Sequence, residues 1–255
     1  EDIPNKDITT VSTITNSITI KAKICAEEKL IFAGAKILPY FFNSKCNFKS
    51  FKYDGDIISK NEIISEIKGP ANIILSRERV MLNLIQRLSG IASETHKYVK
   101  LVKNHNIKIL DTRKTTPGLR LFEKYAVTVG GGYNHRLNLS KGILIKDNHI
   151  LSAGSISNAI ASVLKNNPGF PIEIEVDTLD QIKEALTMPI DGFLLDNMNS
   201  KMVEKAVQII RTDKNGSSIF IEVSGGITIK NLPSFLDTGI NAISIGAITH
   251  SAINK

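Results

Sequence analysis

An α/β fold with a parallel, barrel-like sheet is predicted for most of this 255-residue chain, behind a smaller amino-terminal domain that mixes helix and strand. Three observations carry that expectation. From Ile107 onward, short apolar runs alternate with helical patterns through at least six units, which favours a barrel over an open sheet. Several of the runs are apolar on both sides, as parallel strands covered on both faces are. The polar residues fall at or just past the carboxyl ends of the runs, the face that carries the active site in α/β barrels.

The elements follow in order. Residues 17–34 alternate in S-I-T-I-K-A-K-I-C-A, break at E-E-K and resume as L-I-F-A-G, which predicts a hairpin. A-K-I-L-P-Y-F-F suggests a short amphipathic helix that Pro39 starts or interrupts. Phe48 to Ile58 is strand-like with a turn at Gly55, and Gly69-Pro70 marks a further turn. A long helix is expected from about Ser76 to Asn104, with Val80, Leu84, Ile85 and Leu88 as its apolar stripe. Ser76 suits an N-cap, and Gly90 suits a kink or a division into two helices. Beyond it the expected strands are 107–111, 142–146, 172–176, 192–196, 219–223 and 242–246. The expected helices lie near 119–129, 152–166, 179–188, 199–212 and 229–238. The domain boundary is placed between residues 89 and 90, with the last few residues free to return to the amino-terminal domain.

Composition excludes little by itself. Hydrophobic residues make up 42% and charged residues 22% of the chain, an ordinary globular balance. No apolar stretch is long enough to cross a bilayer, and E-D-I-P-N-K-D lacks the basic start and apolar middle of a signal peptide. Cys25 and Cys46 have no metal-ligand spacing and read as reduced thiols of a cytoplasmic protein. The net charge of +7 fits an anionic partner, either nucleic acid or a small phosphorylated substrate. Aromatics are only 6% and do not interleave with the basic residues as a single-strand platform requires.

The chemistry concentrates between Asp111 and Asn148. Arg113, Lys114, His135, Arg136 and Lys146 sit at strand-to-loop transitions beside turn-forming residues. Arg offers a planar fork for carboxylate or phosphate and Lys a compact point charge, so together they suit a small, highly charged anion. Arg79 lies in the first turn of the long helix, where the helix dipole disfavours a cation and an anionic ligand would compensate. Alternation in I-E-I-E-V-D sends Glu173 and Glu175 to one side, and Asp196 ends the run F-L-L. Such carboxylates are either strand-end caps or, opposite a basic pocket, groups that hold Mg²⁺ or stabilise a developing cation. Ser224-Gly225-Gly226 and Ile245-Gly246-Ala247 can each present main-chain N–H groups to a phosphate.

The motifs D-T-R-K-T-T-P-G, E-K-Y-A-V, G-G-G-Y-N-H-R, I-K-D-N-H, E-I-E-V-D, L-D-N-M, S-G-G-I and I-S-I-G-A-I-T-H-S, in this order, closely resemble the quinolinate phosphoribosyltransferases. The upstream E-R-V-M-L-N-L-I-Q-R-L-S-G-I-A extends the resemblance over nearly the whole chain. Members of that family carry a helix ahead of the segment in which this sequence begins, a difference that leaves the site motifs untouched.

The resemblance implies an amino-terminal α/β sandwich and an incomplete parallel α/β barrel of the type II phosphoribosyltransferase kind. It implies transfer of phosphoribosyl from 5-phosphoribosyl-1-pyrophosphate to quinolinate with decarboxylation, in NAD biosynthesis, with Mg²⁺. It further implies a homodimer whose active site is shared, and no nucleic-acid or membrane partner. On matching positions, Arg79 would reach the partner subunit's site and bind a quinolinate carboxylate. Thr112, Arg113, Lys114, His135, Arg136 and Lys146 would line the dicarboxylate and pyrophosphate pocket. Glu175 and Asp196 would face the ribose and Mg²⁺, and with Lys114 and Lys146 would form the catalytic set. Ser224, Gly225, Gly226, Ile245, Gly246 and Ala247 would hold the 5-phosphate. The rivals are a sister enzyme using nicotinate or another one-carboxylate base, and, remotely, a basic nucleic-acid-binding module.

Overall fold

The computed structural model describes residues 2–14, 18–42, 44–166 and 169–255. The first part of the chain runs α1 (Ile8–Thr13), β1 (Thr19–Cys25), β2 (Leu30–Ile31), β3 (Asn47–Ser50), β4 (Ile57–Ile58), β5 (Ile63–Pro70), α2 (Ala71–Leu75) and α3 (Glu78–Leu101). There follow β6 (Lys108–Leu110), α4 (Arg120–Val129), β7 (Ile143–Ile145), α5 (Asp147–Ala153), α6 (Ile156–Asn166), β8 (Ile172–Val176) and α7 (Leu179–Ala185). The chain ends with β9 (Gly192–Asp196), α8 (Ser200–Thr212), β10 (Phe220–Ser224), β11 (Ala242–Ser244) and α9 (Ala247–His250). Among the described residues no helix is long and apolar enough to cross a membrane. Contacts divide the chain into two compact units, one of Glu1–His96, Thr115–Gly132 and Ala247–Lys255, the other of Lys97–Lys114 and Tyr133–Gly246. The last residues, Ala247–Lys255, cluster with the amino-terminal unit.

In the first unit an antiparallel sheet of order β1-β5-β3 packs its apolar face on α2 and α3, around Ile24, Phe32, Leu38, Ile67, Ile74 and Ile85. The hairpin expected over 17–34, whose first residue Ser17 lies outside the described residues, does not form. β1 pairs along its length with β5, and β2 pairs with β4. Length decides this: two residues of β2 cannot satisfy the seven of β1, whereas the eight of β5 can. Gly69-Pro70 is accordingly not a turn but the end of β5, with Pro70 capping α2. The expected 35–42 helix is a short 3₁₀ turn, Leu38–Phe41, with Pro39 in its first positions.

Ser76 is the C-cap of α2, its hydroxyl donating to the Ile73 carbonyl at 3.2 Å, so it is not the N-cap of α3. Gly90 neither kinks nor divides α3, which is continuous over 24 residues. Its role is close approach: a Cβ there would lie 2.1 Å from the Ile253 carbonyl oxygen. In an exposed helix, Gly→Ala gains about 1 kcal/mol; here the sign should reverse. Gly90→Ala is expected to lose about 1–3 kcal/mol through overpacking, read as a lower melting temperature. An unchanged or higher one would show that the chain end is free to move away.

A buried ion pair ties α3, α4 and the chain end together within this unit. The fully buried Glu123 carboxylate accepts from Arg87 Nε at 3.0 Å and Nη2 at 2.8 Å, and from the Thr116 N–H and hydroxyl at 3.1 and 2.8 Å. Arg87 also donates to the Ala252 carbonyl at 2.9 Å.

The second unit is a six-stranded sheet of order β6-β11-β10-β9-β8-β7, parallel throughout. β6 and β7 do not pair, so the barrel is incomplete as expected; residues from Tyr133 run beside β6 through a parallel bridge to Leu110. The expected strands are all present. The pattern at 152–166 resolves into α5 and α6, broken at Gly154-Ser155, and that at 229–238 shrinks to a 3₁₀ turn at Leu232–Phe235. Strand alternation sets the faces: Ile172, Ile174, Val176, Phe193, Leu195, Ile221 and Val223 are buried among the covering helices. The intervening positions turn inward. Register places Glu175, Leu194, Glu222 and Ala242 in one inner row and Asp196 beside Ser224 in the next.

Candidate active site

At the carboxyl ends of these strands lies a cavity of about 320 Å³. Thr112, Arg113 and Lys114 reach it from the loop after β6, His135 and Arg136 from the segment beside β6, and Lys146 from the end of β7. Glu175 enters from β8, Asp196 from β9, and Glu222 and Ser224 from β10. A cavity of about 460 Å³ in the amino-terminal unit is larger, but its lining belongs mainly to the aliphatic sandwich core. Chemistry, not size, singles out the barrel mouth.

Local structure explains how each charge is held. Buried Asp111 accepts from the His135 N–H at 2.9 Å, anchoring the G-Y-N-H-R segment to the end of β6. Arg136 Nη1 donates to the Gly142 carbonyl at 3.0 Å. Burial first, then the nearby Arg113 charge, holds the Arg136 guanidinium below its ordinary value, and Glu173 and Glu175 oppose this. Two guanidiniums close enough to repel make a site that an anion relieves. In K-D-N-H, the Lys146 N–H donates to His149 Nδ1 at 2.9 Å, closing the turn into α5. The Lys146 ammonium pairs with the Glu175 carboxylate.

The strand-end loops carry the remaining positions. Asn197 has φ 54° and donates to Asp196 Oδ2 at 2.5 Å, which orients that carboxylate. Gly225 and Gly226 have φ of 92° and 61°. A Cβ on Gly225 would strike Asn197 Oδ1 at 2.2 Å, whereas one on Gly226 would meet nothing within 4 Å. Left-handed backbone opening onto free space is the form of a main-chain anion cradle. Gly225, Gly226, Ile245, Gly246 and Ala247 are not among the residues lining the cavity. The Ile245 side chain is buried, so only main chain is available there. Arg79 is exposed in the first turn of α3, makes no ion pair among the described residues and lies in the amino-terminal unit.

Sequence reading passed over Glu222 and the pairing of Glu173 with it. His135 Nε2 lies 3.5 Å from Glu173 and 3.6 Å from Glu222. His135 Nδ1 accepts the Arg136 N–H at 2.7 Å, so the neutral ring carries its proton on Nε2 and faces the two carboxylates as a donor. Although the three residues are close enough to hold an ion, that tautomer has no lone pair for one. Burial foremost, then the Glu173 charge, pushes Glu222 up to about 7, against His135, the Ser244 hydroxyl and Lys146. The signal was present in F-I-E-V: a carboxylate in the middle of an apolar strand.

Fold and cavity together define a class: a two-domain α/β enzyme whose barrel mouth gathers arginine, lysine and carboxylate side chains in one cavity. The family models for the quinolinate phosphoribosyl transferase N-terminal and C-terminal domains match residues 7–89 and 91–254. The chain therefore belongs to the quinolinate phosphoribosyltransferase family. It is 46% identical to a Bacillus subtilis protein named probable nicotinate-nucleotide pyrophosphorylase (carboxylating), over 98% of this chain and 86% of that one. A Mycobacterium leprae nicotinate-nucleotide pyrophosphorylase (carboxylating) is 36% identical over 96% and 87% of the two chains. Among solved structures, nicotinate-nucleotide pyrophosphorylase from Ehrlichia chaffeensis superposes with a TM-score of 0.94 at 43% identity, covering 100% of this chain and 92% of that one. NadC from Streptococcus pyogenes gives 0.92 at 39%, covering 99% and 89%.

Proposed function

We propose that this protein transfers the phosphoribosyl group of 5-phosphoribosyl-1-pyrophosphate to the ring nitrogen of quinolinate, with loss of carbon dioxide. The products are nicotinate mononucleotide and pyrophosphate, on the route to NAD. The observation that carries this is one cavity in which Arg113, Lys114, His135, Arg136 and Lys146 meet Glu175 and Asp196. A surplus of cations suits an acceptor with two carboxylates beside a leaving pyrophosphate, and carboxylates suit the positive charge that develops on the ribose carbon as pyrophosphate departs.

Arg113 and Arg136 supply the planar forks for carboxylate, and Lys114 and Lys146 the point charges for phosphate or for the carboxylate that is lost. Once the ring nitrogen is alkylated it draws electrons from the neighbouring carbon, and the adjacent carboxylate leaves. Glu175 and Asp196 are hard oxygen donors on adjacent strands facing the same cavity, a set that fits Mg²⁺ held together with water and phosphate oxygens. When bound, the ion would neutralise charge on the pyrophosphate. The main chain of Ser224–Gly226 and Ile245–Ala247 would take the 5-phosphate. Mass spectrometry after incubation with quinolinate, phosphoribosyl pyrophosphate and Mg²⁺ tests the proposal. Nicotinate mononucleotide with carbon dioxide is the expected result; turnover of nicotinate without carbon dioxide would favour a one-carboxylate sister enzyme.

The exposed Arg79 supports a homodimer in which that residue completes the partner subunit's site. Arg79→Ala and Lys114→Ala proteins, each expected to be at least tenfold impaired, should therefore regain part of the activity when mixed, because one hybrid site is intact. No recovery after verified subunit exchange would count against a shared site.

A further inference from the structure

The carbon that loses its carboxylate keeps the bonding electron pair, so the product needs one proton where carbon dioxide departed. We infer that the Glu222 carboxyl supplies that proton, and is recharged through a second cavity on the opposite mouth of the barrel. This rests on the reaction proposed above. The second cavity, about 560 Å³, lies at the amino ends of the strands, lined among others by Lys108, Pro171, Asp191, Ser218 and Phe220. His135, Arg136 and Glu222 line both cavities. Glu222 is 1% exposed, and its Oε1 has no hydrogen-bond partner among the described residues. It stands between the substrate mouth and a separate route to solvent.

Its surroundings keep the acid form available. From β8, Glu173 faces it with a carboxylate oxygen within 4.8 Å, and the segment beside β6 presents His135. Lys146 acts on it from the end of β7, and Ser244 hydrogen-bonds it from β11. β9 places Leu194 and β11 places Ala242 beside it, neither of them charged. Two carboxylates so close, one of them almost wholly buried, cannot both ionise readily, which agrees with a Glu222 pKa of about 7. In the step itself, carbon dioxide leaves without the C–C electron pair, which takes the Glu222 proton to form the ring C–H. The resulting carboxylate regains a proton from water in the second cavity. Because the pKa is raised, the donor form is present below about 7 and lost as pH rises through it.

Glu222→Gln keeps the side chain's size and has no proton to give. With Mg²⁺ and both substrates, its turnover is expected to fall about 10²-fold, with quinolinate KM within about threefold and the melting temperature preserved. The decline of wild-type turnover above neutral pH should vanish in E222Q and persist in Glu222→Asp, which should be the more active of the two. Turnover of E222Q near the wild-type value, an unchanged alkaline decline, or quinolinate binding lost in step with turnover would overturn the assignment. A wild-type enzyme that releases no carbon dioxide would instead refute the underlying reaction, and this role with it.

Discussion

Lys146→Ala is expected to lower turnover about 10²–10³-fold, or roughly 3–4 kcal/mol in the barrier, the usual effect of removing one preorganised charge from a catalytic site. Lys146 follows β7, has its main chain fixed by His149 and its ammonium held by Glu175, so the charge is positioned before substrate arrives. Alanine removes the cation and also leaves Glu175 with uncompensated negative charge where an anion must bind. Lys146→Arg should recover only part of the loss, since a fork does not replace a point charge. The check is steady-state kinetics beside a melting curve. Because the ammonium is partly exposed, the curve should move by no more than a few degrees. Ordinary turnover in the alanine variant would remove Lys146 from the chemistry.

The largest stability effect should come from Glu123→Ala. Arg87 and Thr116 both donate to this fully buried carboxylate, and alanine leaves the largely buried guanidinium without its counter-ion, with main-chain carbonyls as its remaining acceptors. Breaking a buried pair from one side costs about 3–5 kcal/mol, which at about 2–4 °C per kcal/mol lowers the melting temperature by roughly 6–20 °C. Glu123→Gln, which still accepts hydrogen bonds, should lose less. A drop under about 2 °C for alanine would mean that water or a rearranged side chain replaces the carboxylate, so that the network contributes nothing net.

The barrel was legible because its strands advertise themselves twice, by unbroken apolar runs and by a polar residue where each run ends. β8 and β9 fall on the residues expected, 172–176 and 192–196, and with them Glu175 and Asp196 at the mouth. The amino-terminal sheet was not legible in the same way. Alternation in β1 shows that a partner exists but not which one, and β5 won by length over the nearer β2. Gly69-Pro70 and Gly90 carry signals that usually mean a break. At one, the helix α2 begins directly from the strand; at the other, a carbonyl from the chain end needs the space a side chain would fill. Glu222 escaped because a lone carboxylate in an apolar strand becomes meaningful only when the folded barrel brings its side chain near Glu173 and His135.

The division of each barrel strand into odd and even positions has a consequence for how this protein can vary. Adding or removing a single residue inside β8 would swing Glu175 toward the helices and bring an isoleucine inward in its place, and likewise for Asp196 in β9. Insertions and deletions should therefore be tolerated only in the connections. A library of single-codon deletions should survive selection in the loops and fail in the strands, even at positions whose side chains are interchangeable aliphatics.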